Sequence, residues 1–146
     1  MSDETTLAAS KLIGRRVLVE LWGEGKLEVA DEFYAPDYVD HVGRGPEASR
    51  VVGPTGIKQA VTPFRTAFPD LRYAVEADRR GRFGAEPVLS KQTGPFMGAP
   101  PSGKSVTYTG MDLNRIVRGK IVESWVNYDA LALLQQLGLV PPVKGI

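Results

Sequence analysis

The sequence predicts an α+β fold: an antiparallel sheet with helices packed on one face of it. Two observations carry this. Apolar residues recur with a helical period before residue 70 and with period two after it. The period-two segments then follow one another at hairpin spacing, and helices followed by consecutive strands mark an α+β arrangement.

From Thr5 to Trp22, Ile13, Val17 and Leu21 recur every four positions, with Leu18 and Trp22 widening the stripe, as in an amphipathic helix. Gly23 and Gly25 end it. A second, short helix covers Leu27 to Tyr34, and Pro36 forces a stop nearby. Tyr38 to Val42 reads as a strand and Gly43 to Gly53 as an exposed loop. A third helix begins near Thr55 as N-cap, buries Ile57, Ala60, Val61, Phe64 and Phe68, and should kink at Pro63. Leu71, Tyr73, Val75 and Ala77 alternate as a half-buried strand does. A basic turn covers Arg79 to Gly84, and Val88 to Thr93 is a weaker strand. Lys104 to Val117 and Ile121 to Tyr128 are the strongest strands, joined through Arg118-Gly119-Lys120. Asp129 caps a final helix that Gly138 and Pro141 close.

The 146 residues suit one domain, 1–146, and 42% apolar content is enough for a core. Eighteen basic against 17 acidic side chains give a net charge of +1, which offers no electrostatic reason to expect nucleic acid or an anionic membrane. With no cysteine and one histidine, thiol catalysis, disulfides and thiolate or multi-histidine metal sites are excluded. The polar, acidic start lacks the features of a signal peptide, and no apolar stretch approaches a membrane span, so a cytoplasmic protein is expected.

Gly98 to Ser105 satisfies the phosphate-loop pattern G-x-x-x-x-G-K-[ST]. The physics behind the pattern fails. Pro100 and Pro101 lack the N–H groups that would hold phosphate, and Val106-Thr107-Tyr108 is strand composition where a helix should begin. The segment reads as a turn.

Phe68-Pro69-Asp70-Leu71, the run Gly94 to Gly103, the run Arg115 to Trp125, Asp129, the run Gln135 to Gly138, and Tyr38-Val39-Asp40-His41 stand in order along the chain. Together they resemble the SnoaL-like polyketide cyclases. The resemblance implies the nuclear-transport-factor-2-like architecture, a cone-shaped barrel of a highly curved antiparallel sheet with N-terminal helices packed on it; it also implies dimers or larger oligomers, and intramolecular aldol ring closure with neither metal nor cofactor. It also implies an acid/base aspartate on the last strand, with histidines near it and a polar residue on the first short strand. Those positions fall here on Val126, on Ser124 and Asp112, and on Asp40. Valine cannot move a proton, so the same mechanism cannot operate unchanged.

A three-residue hairpin loop would pair Val117 with Ile121 and so set Asp112 opposite Val126 and Asn114 opposite Ser124. A two-residue turn would set Asp112 opposite Trp125. On the first register, Asp112 is the preferred acid/base, raised by desolvation in an apolar cone. Asp40 or His41 would join it from the first strand, but only one of two neighbours on a strand can face the pocket. Ser124 is a further candidate, as donor to a substrate oxygen. Trp22, Phe64, Phe68, Tyr108, Val126 and Asn127 are the candidate pocket wall. The expected function is cofactor-free cyclisation or isomerisation of a polyketide-like molecule through an enolate. The alternatives are a non-catalytic small-molecule binder and a cofactor-independent hydroxylase. The uncovered sheet face is expected to pair two copies as a homodimer.

Overall fold

The computed structural model describes residues 6–41, 50–77, 83–88, 90–142 and 144. Helix α1 (Leu7–Arg16) starts where the Thr6 hydroxyl accepts from the Ala9 N–H, and it runs into a π-helical segment, Val17–Trp22. Ile13, Val17 and Leu21 are buried, as their period predicts. The wider π turn closes with Gly23 N–H donating to Leu18 C=O, and it ends the helix at the predicted glycine. Helix α2 (Glu28–Phe33) leads directly into strand β1 (Tyr34–Asp40), which therefore begins earlier than its sequence pattern suggests.

Helix α3 (Gly53–Ala67) begins two residues before the expected Thr55 cap. Val52 holds the N-cap position in extended conformation, and Pro54 follows in the first turn, where its missing N–H costs nothing. Gly53 has φ 64°, and a Cβ there would stand 2.7 Å from Pro36 O, so only glycine fits. The helix continues through Pro63 to Ala67.

Strands β2 (Arg72–Ala77), β3 (Phe83–Val88), β6 (Gly110–Val117) and β7 (Lys120–Tyr128) form one sheet with β1, in the order β1-β7-β6-β3-β2. The sheet is mixed, not wholly antiparallel as expected, because β1 runs parallel to β7, with Asp40 beside Ser124. Strand β3 lies earlier than the expected Val88–Thr93 strand and pairs with β2 along its whole length. Residues 79–82 of the expected basic turn and most of the expected Gly43–Gly53 loop lie outside the described residues, while Phe83 and Gly84 open β3.

The long strand expected from Lys104 is broken. Its first part is β5 (Ser105–Val106), which pairs with β4 (Ser90–Lys91) in a separate two-stranded sheet. The segment that mimics a phosphate loop thus leads into a strand, as its prolines imply. Gln92, 1% exposed, organises it: its amide N–H groups donate to Gly94 O and Pro100 O, and its carbonyl accepts from the N–H and hydroxyl of Ser102.

Arg118 and Gly119, with φ 48° and 74°, make a two-residue turn, so Val117 pairs with Lys120 and not with Ile121. One residue later the register shifts: Ile116 pairs with Ile121 but Arg115 pairs with Glu123. This bulge absorbs Val122 and restores Asp112 opposite Val126 and Asn114 opposite Ser124.

Helix α4 (Ala130–Gln136) is capped by the Asp129 carboxylate, which accepts from Ala132 N–H at 2.9 Å. It buries Leu133 and Leu137 and leaves Leu131 exposed. One apolar core joins Ile13, Val17 and Leu21 to Val29, Tyr34, Ile57, Val61 and Ile121. A second joins Phe68, Leu71, Phe96, Val106 and Tyr108 to α4. Among the described residues no helix is long and apolar enough to cross a membrane.

Replacing Gln92 with Ala should lower stability by about 2 kcal/mol or more, since buried carbonyls and a hydroxyl lose their partner. A urea midpoint equal to that of the wild type would show that the loop does not depend on this amide.

Candidate active site

The restored hairpin register puts alternate residues of β6 and β7 on opposite faces. Asp112, Asn114, Ser124 and Val126 share the inner face, and Asp40 joins them from β1 through its pairing with Ser124. The Ser124 hydroxyl donates to Asn114 Oδ1 at 2.5 Å. Asp40 is 5% exposed and its Oδ1 accepts from Val51 N–H at 3.4 Å.

Asp112 is half-buried, and among the described residues no donor lies within hydrogen-bond distance of its carboxylate. Burial alone pushes its carboxyl up to about 6. The charge of Asp112 in turn opposes ionisation of three phenols, Tyr34, Tyr73 and Tyr108. Tyr34 is buried and held mainly by desolvation well above the usual phenol range, and it takes a hydrogen bond from Trp22. Trp22 itself packs edge-on against Phe64, with ring centroids 5.8 Å apart. Phe64 continues this aromatic contact to Phe96 and Tyr128.

Other candidate residues lie elsewhere. His41 is exposed on the outer face, where its ring stacks on Trp125 at 4.8 Å and its Nε2 lies 3.4 Å from Glu123 Oε1. Arg115 donates to Glu123 at 2.7 Å and helps hold that carboxylate below its usual range. Asn127 is exposed and pairs with Met111, also on the outer face. Phe68, 1% exposed, belongs to the second core. Val126 and Trp22 are half-buried, and Tyr108 is buried. A separate surface cleft of about 330 Å³, lined by Glu24, Gly25, Leu27, Thr62, Arg65 and Thr66, contains none of these residues. Its guanidinium, from Arg65, is engaged by the backbone carbonyls of Gly23, Pro69 and Leu71.

Sequence reasoning passed over Tyr34, Tyr73 and Tyr128 as site residues. Tyr73 alternates with its neighbours as any half-buried strand residue would, and only the fold brings it beside Asp112 and Tyr108. Among the described residues no cluster of three or more carboxylate or imidazole side chains could hold a metal ion.

A sequence profile of the SnoaL-like polyketide cyclases matches residues 13–137. The chain belongs to this family. Its fold also matches solved structures over nearly its whole length. A candidate SnoaL-like polyketide cyclase from Jannaschia sp. CCS1 is 23% identical, with a TM-score of 0.76, covering 97% of this chain and 100% of that one. AclR, a candidate hydroxylase from Streptomyces galilaeus, is 25% identical with a TM-score of 0.73, covering 94% and 86%. IdmH, a candidate polyketide cyclase from Streptomyces antibioticus, is 27% identical with a TM-score of 0.67, covering 88% and 98%. No functionally curated protein matches the sequence. The fold is therefore the nuclear-transport-factor-2-like one that the resemblance implied, with helices on a curved mixed sheet.

The raised carboxyl of Asp112 has a sign that can be checked. A carboxyl whose folded pKa lies above its unfolded value of 3.8 stabilises the fold fully below that value, and this contribution is lost as pH rises through about 6. Asp112→Asn should therefore be more stable than wild type at pH 8, by at most about 3 kcal/mol at roughly 1.4 kcal/mol per pKa unit. The advantage should vanish below about pH 4. Thermal melts at both pH values check this, and equal melting temperatures at pH 8 would contradict it.

Proposed function

We propose that this protein is a cofactor-free cyclase or isomerase that removes a proton beside a carbonyl of a polyketide-like substrate, with Asp112 as the base. The observation that carries this reading is the Asp112 carboxylate, which has no hydrogen-bond or ion-pair partner among the described residues. It is raised by burial to about 6 yet half-buried rather than sealed. A carboxylate without an ion-pair partner, held near the working pH and still reachable, is built to exchange protons with a ligand and not to stabilise a core. It lines, on this reading, a small-molecule pocket between the inner face of the sheet and the helices.

The family resemblance sets the acid/base position at Val126. Asp112 stands directly across the hairpin from it. Opposed residues on antiparallel strands have Cβ atoms about 5 Å apart, so a carboxylate at either position reaches much the same space. The proton carrier has moved one strand over. In the forward step the Asp112 carboxylate takes a proton from a carbon next to a carbonyl. The resulting enolate carbon attacks a second carbonyl of the same molecule, and the new alkoxide takes the proton back from Asp112. Asn114 and Ser124 offer polar contacts on the same face.

Two other readings have support. The valine at the family's acid/base position favours a pocket that binds its ligand unchanged, and the likeness to AclR favours cofactor-independent hydroxylation. Mass-spectrometric turnover of linear aromatic polyketide esters and related ketones separates the three. Conversion to an isomer of equal mass is expected, and Asp112→Asn should lower it at least tenfold while the protein stays folded. Recovery of every compound unaltered would favour the binder, and a gain of one oxygen with oxygen consumption would favour the hydroxylase. With an active substrate, kcat/KM should rise about tenfold per pH unit below about 6 and level off above, because the base must be ionised.

The outer face supports a proposal about assembly. Met111, Leu113 and Trp125 are 69%, 56% and 40% exposed there, and Leu113 pairs with Trp125 across the hairpin. Beside them Arg115 and Glu123 pair within the chain, and the His41 ring lies against the same carboxylate. An apolar stripe edged by already paired charges is self-complementary, which is what a two-fold interface needs. We propose that two copies pair through this face. Light scattering at micromolar concentration should give a dimer for the wild type and a monomer for Leu113→Glu. A monomeric wild type would remove the proposal.

A further inference from the structure

A pair of phenols stands beside the proposed base. Tyr73, on β2, and Tyr108, between β5 and β6, bring their hydroxyl oxygens to 2.7 Å from separate parts of the chain. Their rings meet edge-on with centroids 6.5 Å apart, and Tyr128 from the end of β7 packs against Tyr108 at 5.8 Å. This fixes both hydroxyls.

A phenol hydroxyl carries one proton and can also accept. When two phenols bond to each other, one proton joins them and the other is left to find an acceptor. Among the described residues neither hydroxyl has a further hydrogen-bond partner. Asp112 is near enough for its charge to act on both phenols, but no hydrogen bond joins it to either. The carboxylate and the phenol pair are therefore neighbours that do not satisfy each other. A substrate whose C–H faces the carboxylate carries its carbonyl oxygen one bond further on, and that is where a donor stabilises a developing enolate.

Burial holds both phenols above their usual range, Tyr108 at about 12. Both therefore keep their protons near pH 8, where Asp112 has given up its own.

We infer that the Tyr73–Tyr108 pair is the oxyanion donor of this site: one hydroxyl donates to the other, and the proton left over is aimed at the ligand. The ligand class follows: a molecule whose oxygen becomes an enolate or a phenolate when bound. This rests on the reading of Asp112 as the base.

The test needs no turnover. In the Asp112→Asn protein, which lacks the charge of the proposed base, 2-naphthol should bind at pH 8 as the naphtholate. Its red-shifted absorption reports this, and its affinity should exceed that of 2-methoxynaphthalene at least tenfold. Tyr108→Phe and Tyr73→Phe should each lower that ratio at least threefold, since either change breaks the phenol pair. Binding of 2-methoxynaphthalene should stay within twofold throughout, and a ratio on one protein cancels any partial loss of folded material. A ratio unchanged by either phenylalanine, or no preference for naphthol in Asp112→Asn, would overturn the inference. Undiminished turnover by Asp112→Asn would instead remove the base and leave the naphthol ratio standing, so the two failures are distinguishable.

Discussion

The register of the β6–β7 hairpin determines which side chains meet, and the rest of the site depends on it. A two-residue turn alone would set Asp112 opposite Trp125 and place inward residues of one strand against outward residues of the other. The extra residue at Val122 corrects this between Arg115 and Ile116. From there to the end of the sheet Asp112, Asn114, Ser124 and Val126 face inward together. The bulge also gives the sheet a local bend, which suits strands that must wrap around a ligand. One inserted residue thus separates the face proposed for chemistry from the face proposed to pair two copies.

The same two strands carry carboxylates with opposite fates. Glu123 on the outer face meets Arg115 and His41 and is held low. Asp112 on the inner face meets no cation and is held high by burial. Environments that push carboxyl groups apart separate structural from proton-transferring roles. On the proposed reading, the phenols complete the inner face with donors that stay protonated, so charge created at a ligand oxygen meets hydrogen bonds.

Much of this was legible in sequence because it rests on local rules. The stripe through Ile13, Val17 and Leu21, the Asp129 cap and the Gly138 stop depend on a few neighbouring residues. So does the prolines' veto of the phosphate-loop reading. What escaped depends on pairing over distance. Strand β1 joins β7 in parallel across some eighty residues, which no local pattern encodes. Strand β3 contains Gly84 and Pro87, which mask its alternation, and it is a strand because β2 and β6 lie beside it. The hairpin was misread in its turn yet correctly read in its register, because the unforeseen bulge offset the unforeseen turn. In the site, Asp112 could be singled out as a carboxylate on the inner face. The Tyr73–Tyr108 contact could not, since its partners lie 35 residues apart and each resembles an ordinary buried aromatic.

The central claim is that Asp112 is an unpaired carboxylate whose proton affinity is set by burial. The most direct measurement is the titration of its side-chain carboxyl by carbon-13 NMR in the wild-type protein, assigned with Asp112→Asn. A midpoint near 6 is expected, and binding of an uncharged ketone ligand should move it higher by excluding more water. A midpoint at or below the ordinary aspartate value would mean that a cation or donor pairs with this carboxylate in solution, and Asp112 would then be a structural residue.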